Sequence, residues 1–158
     1  MPDITIRRAE EKDIDKIIEL LLQIHELHAN IRPDIFANGK SKFNREELVE
    51  IMKDELTPIY VAVDSEDSVL GHAFLEIKER NDESHVAMKE LHLEDLCVDE
   101  KARGLGVGTA LFEFVKKKGH ELGCYELTLS VWAGNDSARR FYDRVGLKEK
   151  FTMLEYIL

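Results

Sequence analysis

Apolar residues recur along the chain with two spacings, which predict helices and strands in mixed order. Spacing of three and four residues is typical of an amphipathic helix, and it occurs in four segments. Alternation of apolar and polar residues, or a short apolar run, is typical of a strand. The helical segments are 14–28, 44–52, 107–118 and 135–145; the strand segments lie around Ile4 and Ile6 and over 59–63, 69–77, 91–98, 125–132 and 151–158.

Local signals mark several boundaries between these elements. Asn44 is followed three residues later by Glu47, the pattern of a capping box at the start of a helix. Arg32-Pro33 ends the first helix, because a residue before proline disfavours the helical conformation. Gly146 suits the left-handed position that follows a helix. The order predicts an α/β (α+β) fold with helices flanking a mixed sheet, in a single domain over 1–158.

Composition and charge restrict the class of protein. The chain has 158 residues, 44% of them hydrophobic and 34% charged, which suffices for one packed core. A formal net charge of −10 argues against a nucleic-acid partner, which needs a positive field, and is compatible with a cationic substrate. No apolar stretch is long enough to span a membrane, and we expect no membrane partner. Cys97 and Cys124 do not form a disulfide framework, so we expect reduced thiols and a cytoplasmic location.

A glycine-rich turn after the strand 91–98 carries the most specific chemistry. Gly104, Gly106 and Gly108 follow Arg103 and open a helix. Glycines let successive backbone N–H groups converge, and the helix dipole and an arginine add positive potential, so the turn suits a phosphate group. A dinucleotide fingerprint needs a third glycine where Thr109 stands, and a phosphate-binding P-loop needs Gly-Lys-Ser/Thr; neither pattern is present.

Two motifs make the chain resemble the GCN5-related N-acetyltransferase (GNAT) superfamily. The sequence Arg103-x-x-Gly106-x-Gly108 matches the superfamily's pyrophosphate-binding pattern, and the opening Ile6-Arg7-Arg8-Ala9 is also typical of it. The second signature is formed by Asn135, Ala138, Phe141, Tyr142, Gly146 and Leu147. The resemblance covers nearly the whole chain and implies a twisted mixed sheet that splays between strands 4 and 5, where CoA lies.

The resemblance also implies acetyl-CoA as co-substrate and a set of binding residues, while the spacing of the six histidines matches no set of metal ligands, so we expect no metal. The backbone N–H of Val98 is expected to polarise the thioester carbonyl, an oxyanion-type role. Backbone groups of the strand end and of the turn are expected to hold the pantetheine arm and the pyrophosphate. The expected CoA-binding residues are Leu96, Cys97, Val98, Arg103, Gly104, Leu105, Gly106, Val107, Gly108, Asn135 and Tyr142.

Glu94 is the candidate that removes a proton from the acceptor amine. An alkylammonium, with a pKa near ~10.4, is almost wholly charged at neutral pH and must lose a proton before it can attack. Alternation along the strand predicts that Glu94 shares a face with Leu96 and Val98, and that Asp95 and Cys97 point away. The stretch from Glu94 to Gly108 also resembles polyamine acetyltransferases. Glu94 could act as the base or as an electrostatic anchor for the cation.

Tyr142 is expected to assist the departure of the CoA thiolate. It shares an inward helical face with Phe141 and Val145. A phenol, with a pKa near ~10, does not readily protonate a thiolate with a pKa near ~8.5, so a hydrogen bond is the safer role. His25 and His28 are expected to pack rather than to react, and Cys97 lacks an obvious partner for nucleophilic catalysis.

The sequence therefore predicts an enzyme that transfers acetyl from acetyl-CoA to a primary amine by direct attack in a ternary complex. The acceptor is either a small polyamine-like or amino-sugar amine or a protein N-terminus or lysine. A non-catalytic acetyl-CoA-binding sensor or interaction module is the alternative from another class. The apolar segment 151–158, read as a closing edge strand, favours a homodimer.

Overall fold

A computed structural model describes residues 3–158 as five strands and four helices, with 3₁₀ turns at Glu11–Asp13 and Glu100–Ala102. The helices start and end close to the bounds that the hydrophobic spacing predicts. No helix in the described part of the chain is both long and apolar enough to cross a membrane. In chain order the elements are β1 (Thr5–Arg8), α1 (Ile14–Ile31), α2 (Arg45–Lys53), β2 (Ile59–Val63), β3 (Val69–Arg80), β4 (Met88–Val98), α3 (Val107–Glu121), β5 (Glu126–Thr128) and α4 (Asp136–Arg144).

The strands form one mixed sheet in the order β1-β2-β3-β4-β5. Neighbouring strands from β1 to β4 run antiparallel, and β5 runs parallel to β4. The parallel ladder covers only three pairs, from Glu90 with Glu126 to His92 with Thr128. Beyond His92 the two strands separate while β4 continues to Val98, which leaves an unpaired edge of β4. The predicted splay between strands 4 and 5 is confirmed.

Helices cover both faces of the sheet and bury two hydrophobic clusters. On one face α3 packs Leu111, Phe112 and Val115 against Leu91 and Leu93 of β4. On the other face α1 and α2 pack against the central strands; this cluster contains Ile17, Leu21, Leu48, Val61 and Phe74. Burial of these apolar surfaces supplies the main stabilisation and sets which face of β4 each side chain meets.

A β-bulge in β4 changes which face its side chains occupy. Phe74 pairs with Asp95 and Leu75 pairs with Leu93, so Glu94 has no partner in β3. The extra residue breaks the period of two, because a bulge places two consecutive residues opposite one on the next strand. Cys97 then points toward α1, where its Sγ lies 3.4 Å from the Leu20 carbonyl oxygen. The expected alternation, with Glu94 on the face of Leu96 and Val98, is wrong for this reason.

Side-chain partners confirm the new arrangement of the two acidic residues. Leu96 and Val98 pack against the cluster on the α3 face. Glu94 instead meets Lys42 from the loop after α1, and Asp95 faces His72 on the α1 side of the sheet. The bulge therefore puts both carboxylates on the α1 face, and the expectation that Asp95 points away from Glu94 is also wrong.

Two predicted strands near the end of the chain differ from the structure. The strand expected over 125–132 is reduced to Glu126–Thr128, since β4 and β5 separate after three pairs. The segment 151–158 is not a strand. Its apolar side chains are 70% or more exposed, namely Phe151, Met153, Leu154, Tyr156, Ile157 and Leu158. A strand needs a hydrogen-bonding neighbour, and within residues 3–158 this segment has none in the sheet.

Candidate active site

The unpaired edge of β4 offers backbone groups to the cleft beside it. The Asp99 N–H donates to the carbonyl oxygen of Leu70 in β3 at 2.8 Å, so the backbone groups of Asp99 point toward β3. Backbone groups alternate in direction along a strand. The N–H and C=O of Leu96 and Val98 therefore point toward the β5 side, while those of Cys97 point toward β3. Leu96 and Val98 suit an extended ligand lying along β4, and Cys97 offers no backbone group there.

Helix α1 holds the end of β4 in place. The Gln23 side-chain amide donates to the Val98 carbonyl oxygen at 2.9 Å, and its oxygen accepts from the Glu100 N–H at 3.3 Å. Lys16 Nζ lies 2.6 Å from the Asp99 carboxylate, which also accepts from the Lys101 N–H. With its C=O bonded to Gln23, Val98 is held in a defined position, and its N–H remains on the cleft side.

The glycine-rich turn adopts a backbone conformation that is strained for residues other than glycine. Gly104 and Gly106 both have φ of +81°, in the left-handed region, and Gly106 is the N-cap of α3. The first bond of the helix runs from the Ala110 N–H to the Gly106 carbonyl oxygen. The N–H groups of Val107 and Gly108, in the first turn, have no partner in the helix and point toward its N-terminal end. Arg103 is exposed at the same end.

The turn therefore suits a phosphate group. Free N–H donors, the positive end of the α3 dipole and an exposed guanidinium converge at one place. Leu105 is exposed between the two left-handed glycines. A Cβ on Gly108 would lie 3.5 Å from the Phe141 ring, so α4 packs directly over the start of α3.

Asn135 caps α4 beside this turn. Its side-chain oxygen accepts from the Ala138 N–H at 3.4 Å, and the residue is buried. This is the bond that satisfies an otherwise unpaired donor of the first helical turn. The predicted capping role is confirmed; a contact with CoA stays a prediction.

Tyr142 extends from α4 toward β4. Burial, and next the nearby charges of Asp95 and Cys97, raises the pKa of its hydroxyl to about 12. The phenol therefore stays protonated at neutral pH and can donate a hydrogen bond to an anion. The predicted inward position of Tyr142 is confirmed.

Glu94 is held by two basic side chains. Its carboxylate accepts from Lys42 Nζ at 2.8 Å and lies 3.4 Å from His92 Nε2. The hydrogen bond from Lys42 lowers the pKa of Glu94 against the opposing effect of burial. A carboxylate with a lowered pKa binds cations well and is a weaker base.

Asp95 lies deeper in the site, although alternation along the strand predicts that it points away from Glu94. Its side chain is 12% exposed, and its Oδ2 is 3.5 Å from His72 Nε2. Its charge contributes to the raised pKa of Tyr142, and it opposes the burial that lowers the pKa of His28. The adjacent pair Glu94-Asp95 within a buried strand was a signal for a bulge, since strict alternation would place one carboxylate in the core cluster.

Aromatic side chains link the second half of α1 to the segment after β5. The Phe36 ring lies between α1 and the segment after β5, 5.2 Å from the His28 ring and 5.2 Å from the Trp132 ring. His25 packs edge-on against the same ring, and its Nε2 lies 2.6 Å from the Ala37 carbonyl oxygen. Burial lowers the pKa of His28, which favours its neutral form. The packing predicted for His25 and His28 is confirmed.

A sheet that splays between β4 and β5, a glycine-rich turn with free N–H groups between β4 and α3, and a largely buried phenol facing β4 are typical of N-acetyltransferases that use acetyl-CoA as co-substrate. The sequence profile of the acetyltransferase (GNAT) family matches residues 21–147. The chain belongs to this family.

Individual proteins agree with this assignment. An uncharacterised N-acetyltransferase of Methanocaldococcus jannaschii is 35% identical over 66 residues, which are 41% of this chain and 42% of that protein. A mutant protein from Bacillus halodurans is similar in structure, with a TM-score of 0.93 and 27% identity over 98% of this chain and 99% of that one. An aminoglycoside N-acetyltransferase in complex with CoA shares the fold, with a TM-score of 0.69 and 17% identity over 100% of this chain and 96% of that one.

Proposed function

We propose that the protein transfers acetyl from acetyl-CoA to the primary amine of a small cationic acceptor. The observation that carries this proposal is the pair of Lys42 and Glu94, whose Nζ and Oε1 are 2.8 Å apart beside the bulge of β4. Lys42 Nζ is an alkylammonium, the same group that an acceptor would present. An incoming ammonium can replace it at Glu94, which favours the anchor role for this carboxylate over the base role.

Direct transfer in a ternary complex is supported by the state of the cysteine in the site. Cys97 is buried, and burial together with the Asp95 charge raises the pKa of its thiol to about 12. A thiol that stays protonated is a poor nucleophile. No acetyl-cysteine intermediate is therefore proposed, and the amine attacks the thioester itself.

The proposed roles follow the directions of the groups in the cleft. The Val98 N–H donates to the thioester oxygen as negative charge develops there. Leu96 and Val98 hold the pantetheine arm, and the turn 103–108 holds the diphosphate. Tyr142 donates a hydrogen bond to the departing thiolate. A primary ammonium loses two protons overall: one ends on the CoA sulfur and the other reaches solvent.

A small acceptor is favoured over a protein chain. Phe36 links α1 to the segment after β5 through its contact with Trp132, and we expect this contact to restrict an extended peptide. The two carboxylates of the bulge suit an acceptor with more than one positive charge, as in a polyamine or an aminoglycoside. The aminoglycoside enzyme of the same fold acts on an amine of this chemical kind. A protein N-terminus or lysine remains the second candidate.

The proposed assembly is a homodimer in the cytoplasm. Within the described chain, no strand pairs with the exposed apolar segment 151–158 or with the outer edge of β5. The segment of one copy can form backbone hydrogen bonds with the β5 edge of a second copy. Cys97 and Cys124 are free thiols, which suits a reducing compartment.

An acetylation screen tests the proposed function. Acetyl-CoA is supplied with polyamines, aminoglycosides, amino sugars and lysine peptides in separate reactions, and free thiol is measured. Thiol release that depends on a small polycationic amine supports the proposal. Thiol release with lysine peptides alone would show that the acceptor is a protein.

A further inference from the structure

His72 is a buried histidine whose ring has no hydrogen-bond partner within residues 3–158. The residue is 0% exposed. Its ring packs edge-on against Phe74, with centroids 4.9 Å apart. A buried polar group without a partner costs free energy that an apolar side chain of similar volume would avoid. Packing alone therefore does not account for a histidine at this position.

Asp95 is the charged group that faces His72. The register of β3 and β4 pairs His72 with Cys97 and Phe74 with Asp95, which puts His72 and Asp95 diagonally on one face. Nε2 of His72 and Oδ2 of Asp95 are 3.5 Å apart, slightly beyond an ordinary hydrogen bond. A small rotation of either side chain would bring an Nε2–H into a charge-assisted bond with the carboxylate.

The other groups that face Asp95 belong to the reaction site. Its charge reaches Tyr142 from α4 and His28 from α1, and Cys97 neighbours it on β4. Glu94, the adjacent residue, is instead turned toward Lys42 and His92. Asp95 thus lies between a buried histidine behind it and the thiolate-stabilising tyrosine in front of it.

We propose, on the basis of the acetyl transfer above, that Asp95 accepts a proton from the reacting amine and that His72 is the positioning residue that aims its carboxylate. The ammonium first loses one proton to solvent, which leaves a lone pair on the amine nitrogen. The nitrogen then forms a bond to the carbonyl carbon, which makes its remaining protons acidic enough for a carboxylate to take one. Asp95 takes that proton as the C–S bond breaks, the sulfur leaves with the bonding electron pair, and Tyr142 stabilises it. Asp95 then releases its proton through solvent to the thiolate, so that over the whole reaction the sulfur gains one proton and solvent gains the other.

Four variants test whether Asp95 or Glu94 takes the proton and whether His72 acts through Asp95. Asp95→Asn lowers kcat/KM by about 10²- to 10⁴-fold, the range for loss of a general base. His72→Leu lowers kcat by up to about 10²-fold through misplacement of the carboxylate. His72→Gln restores part of the rate, since its side-chain N–H can replace Nε2–H. Glu94→Gln changes mainly the KM of the amine.

The kinetic constants give readouts that a merely structural role for His72 would not produce. His72→Leu is expected to lower kcat while the KM of acetyl-CoA and the KM of the amine stay close to wild type. His72→Gln is expected to recover part of that kcat, because it keeps a side-chain N–H for the carboxylate. Equal losses in both variants, or a loss that appears only in KM, would overturn the proposal for His72.

Nitrogen-15 NMR of the histidine rings tests the pair without turnover. The His72 ring resonances are expected to shift in Asp95→Asn and to stay in place in Glu94→Gln. Unchanged His72 resonances in Asp95→Asn would overturn the positioning role even if wild type acetylates amines. If wild type acetylates no amine, the proposed function fails, and the NMR result still decides whether the pair exists. Full activity of Asp95→Asn would assign the proton to another group.

Discussion

Lys42 Nζ and Glu94 Oε1 are 2.8 Å apart, although 52 positions separate the two residues in the chain. The loop after α1 carries Lys42 across to the bulge of β4, so that an amine of the protein itself contacts the Glu94 carboxylate. The pair is partly exposed, with side-chain exposures of 42% and 39%, and water weakens it. Exchange of Lys42 for a substrate ammonium at Glu94 therefore costs little free energy.

Replacement of Glu94 by glutamine is expected to raise the KM of a cationic acceptor about 1.5- to fivefold, the range for an exposed ion pair. We expect kcat to change little, because the amide keeps the shape of the side chain and the proton goes elsewhere. Lys42→Met removes the competing ammonium and is expected to lower the same KM. Steady-state kinetics on one polyamine measures both.

The matched control for Glu94→Gln is Glu50→Gln, which makes the same charge change at an exposed position on α2. It is expected to leave both constants unchanged. A large fall in kcat for Glu94→Gln without a change in KM would contradict the anchor role and return the base role to Glu94.

Gly106→Val is expected to weaken acetyl-CoA binding severely. A side chain at φ of +81° strains the turn and fills the place where backbone N–H groups approach the diphosphate. Calorimetric titration with CoA measures the loss. Gly123→Val is the control: Gly123 has φ of +72°, and a Cβ there meets nothing within 4 Å.

The control carries similar backbone strain at the far end of α3. Equal loss of CoA affinity in both variants would attribute the effect to general strain. Unchanged affinity in a folded Gly106→Val protein would remove the turn from the CoA site.

Tyr142→Phe is expected to lower kcat about 10- to 100-fold, the worth of a hydrogen bond to a charged group, while acetyl-CoA affinity stays close to wild type. Because the pKa of Tyr142 is raised to about 12, its hydroxyl stays protonated throughout the assay range, and the loss should be the same at pH 7 and pH 9. Single-turnover rates at both pH values test this. A rate penalty that disappears at pH 9 would indicate a proton transfer in place of a hydrogen bond.

The segment 151–158 is expected to pair with a second copy of the chain. Light scattering at micromolar concentration should give the mass of a dimer. Leu154→Asp, which puts a charge on one of its most exposed apolar residues, should shift the mass toward the monomer. Val86→Asp, at another exposed apolar position, is the control and should leave the mass unchanged. A monomeric mass for wild type would contradict the proposal.

Much of this fold can be predicted from local signals in the sequence. The helical spacing from Ile14 onward, the box of Asn44 and Glu47 and the glycine after α4 are each determined by neighbouring residues, and all are present in the structure. The phosphate turn is also local, because its conformation depends on glycines adjacent in sequence.

The parts that could not be predicted depend on distant residues. Glu94 is bulged because β3 pairs on both sides of it, and this register is set across strands. The position of Lys42 depends on the path of the loop after α1. The segment 151–158 has the composition of a strand, but whether it forms one depends on a neighbouring edge that the described chain does not supply.

The central claim, acetyl transfer to a small cationic amine, is tested most directly by thiol release from acetyl-CoA in the presence of single amines. The account predicts release that saturates with a polyamine or aminoglycoside, mass spectrometry that shows one acetyl group on the amine, and initial-rate patterns in which both substrates bind before either product leaves. Tight CoA binding without amine-dependent thiol release, for every amine and peptide supplied, would contradict it.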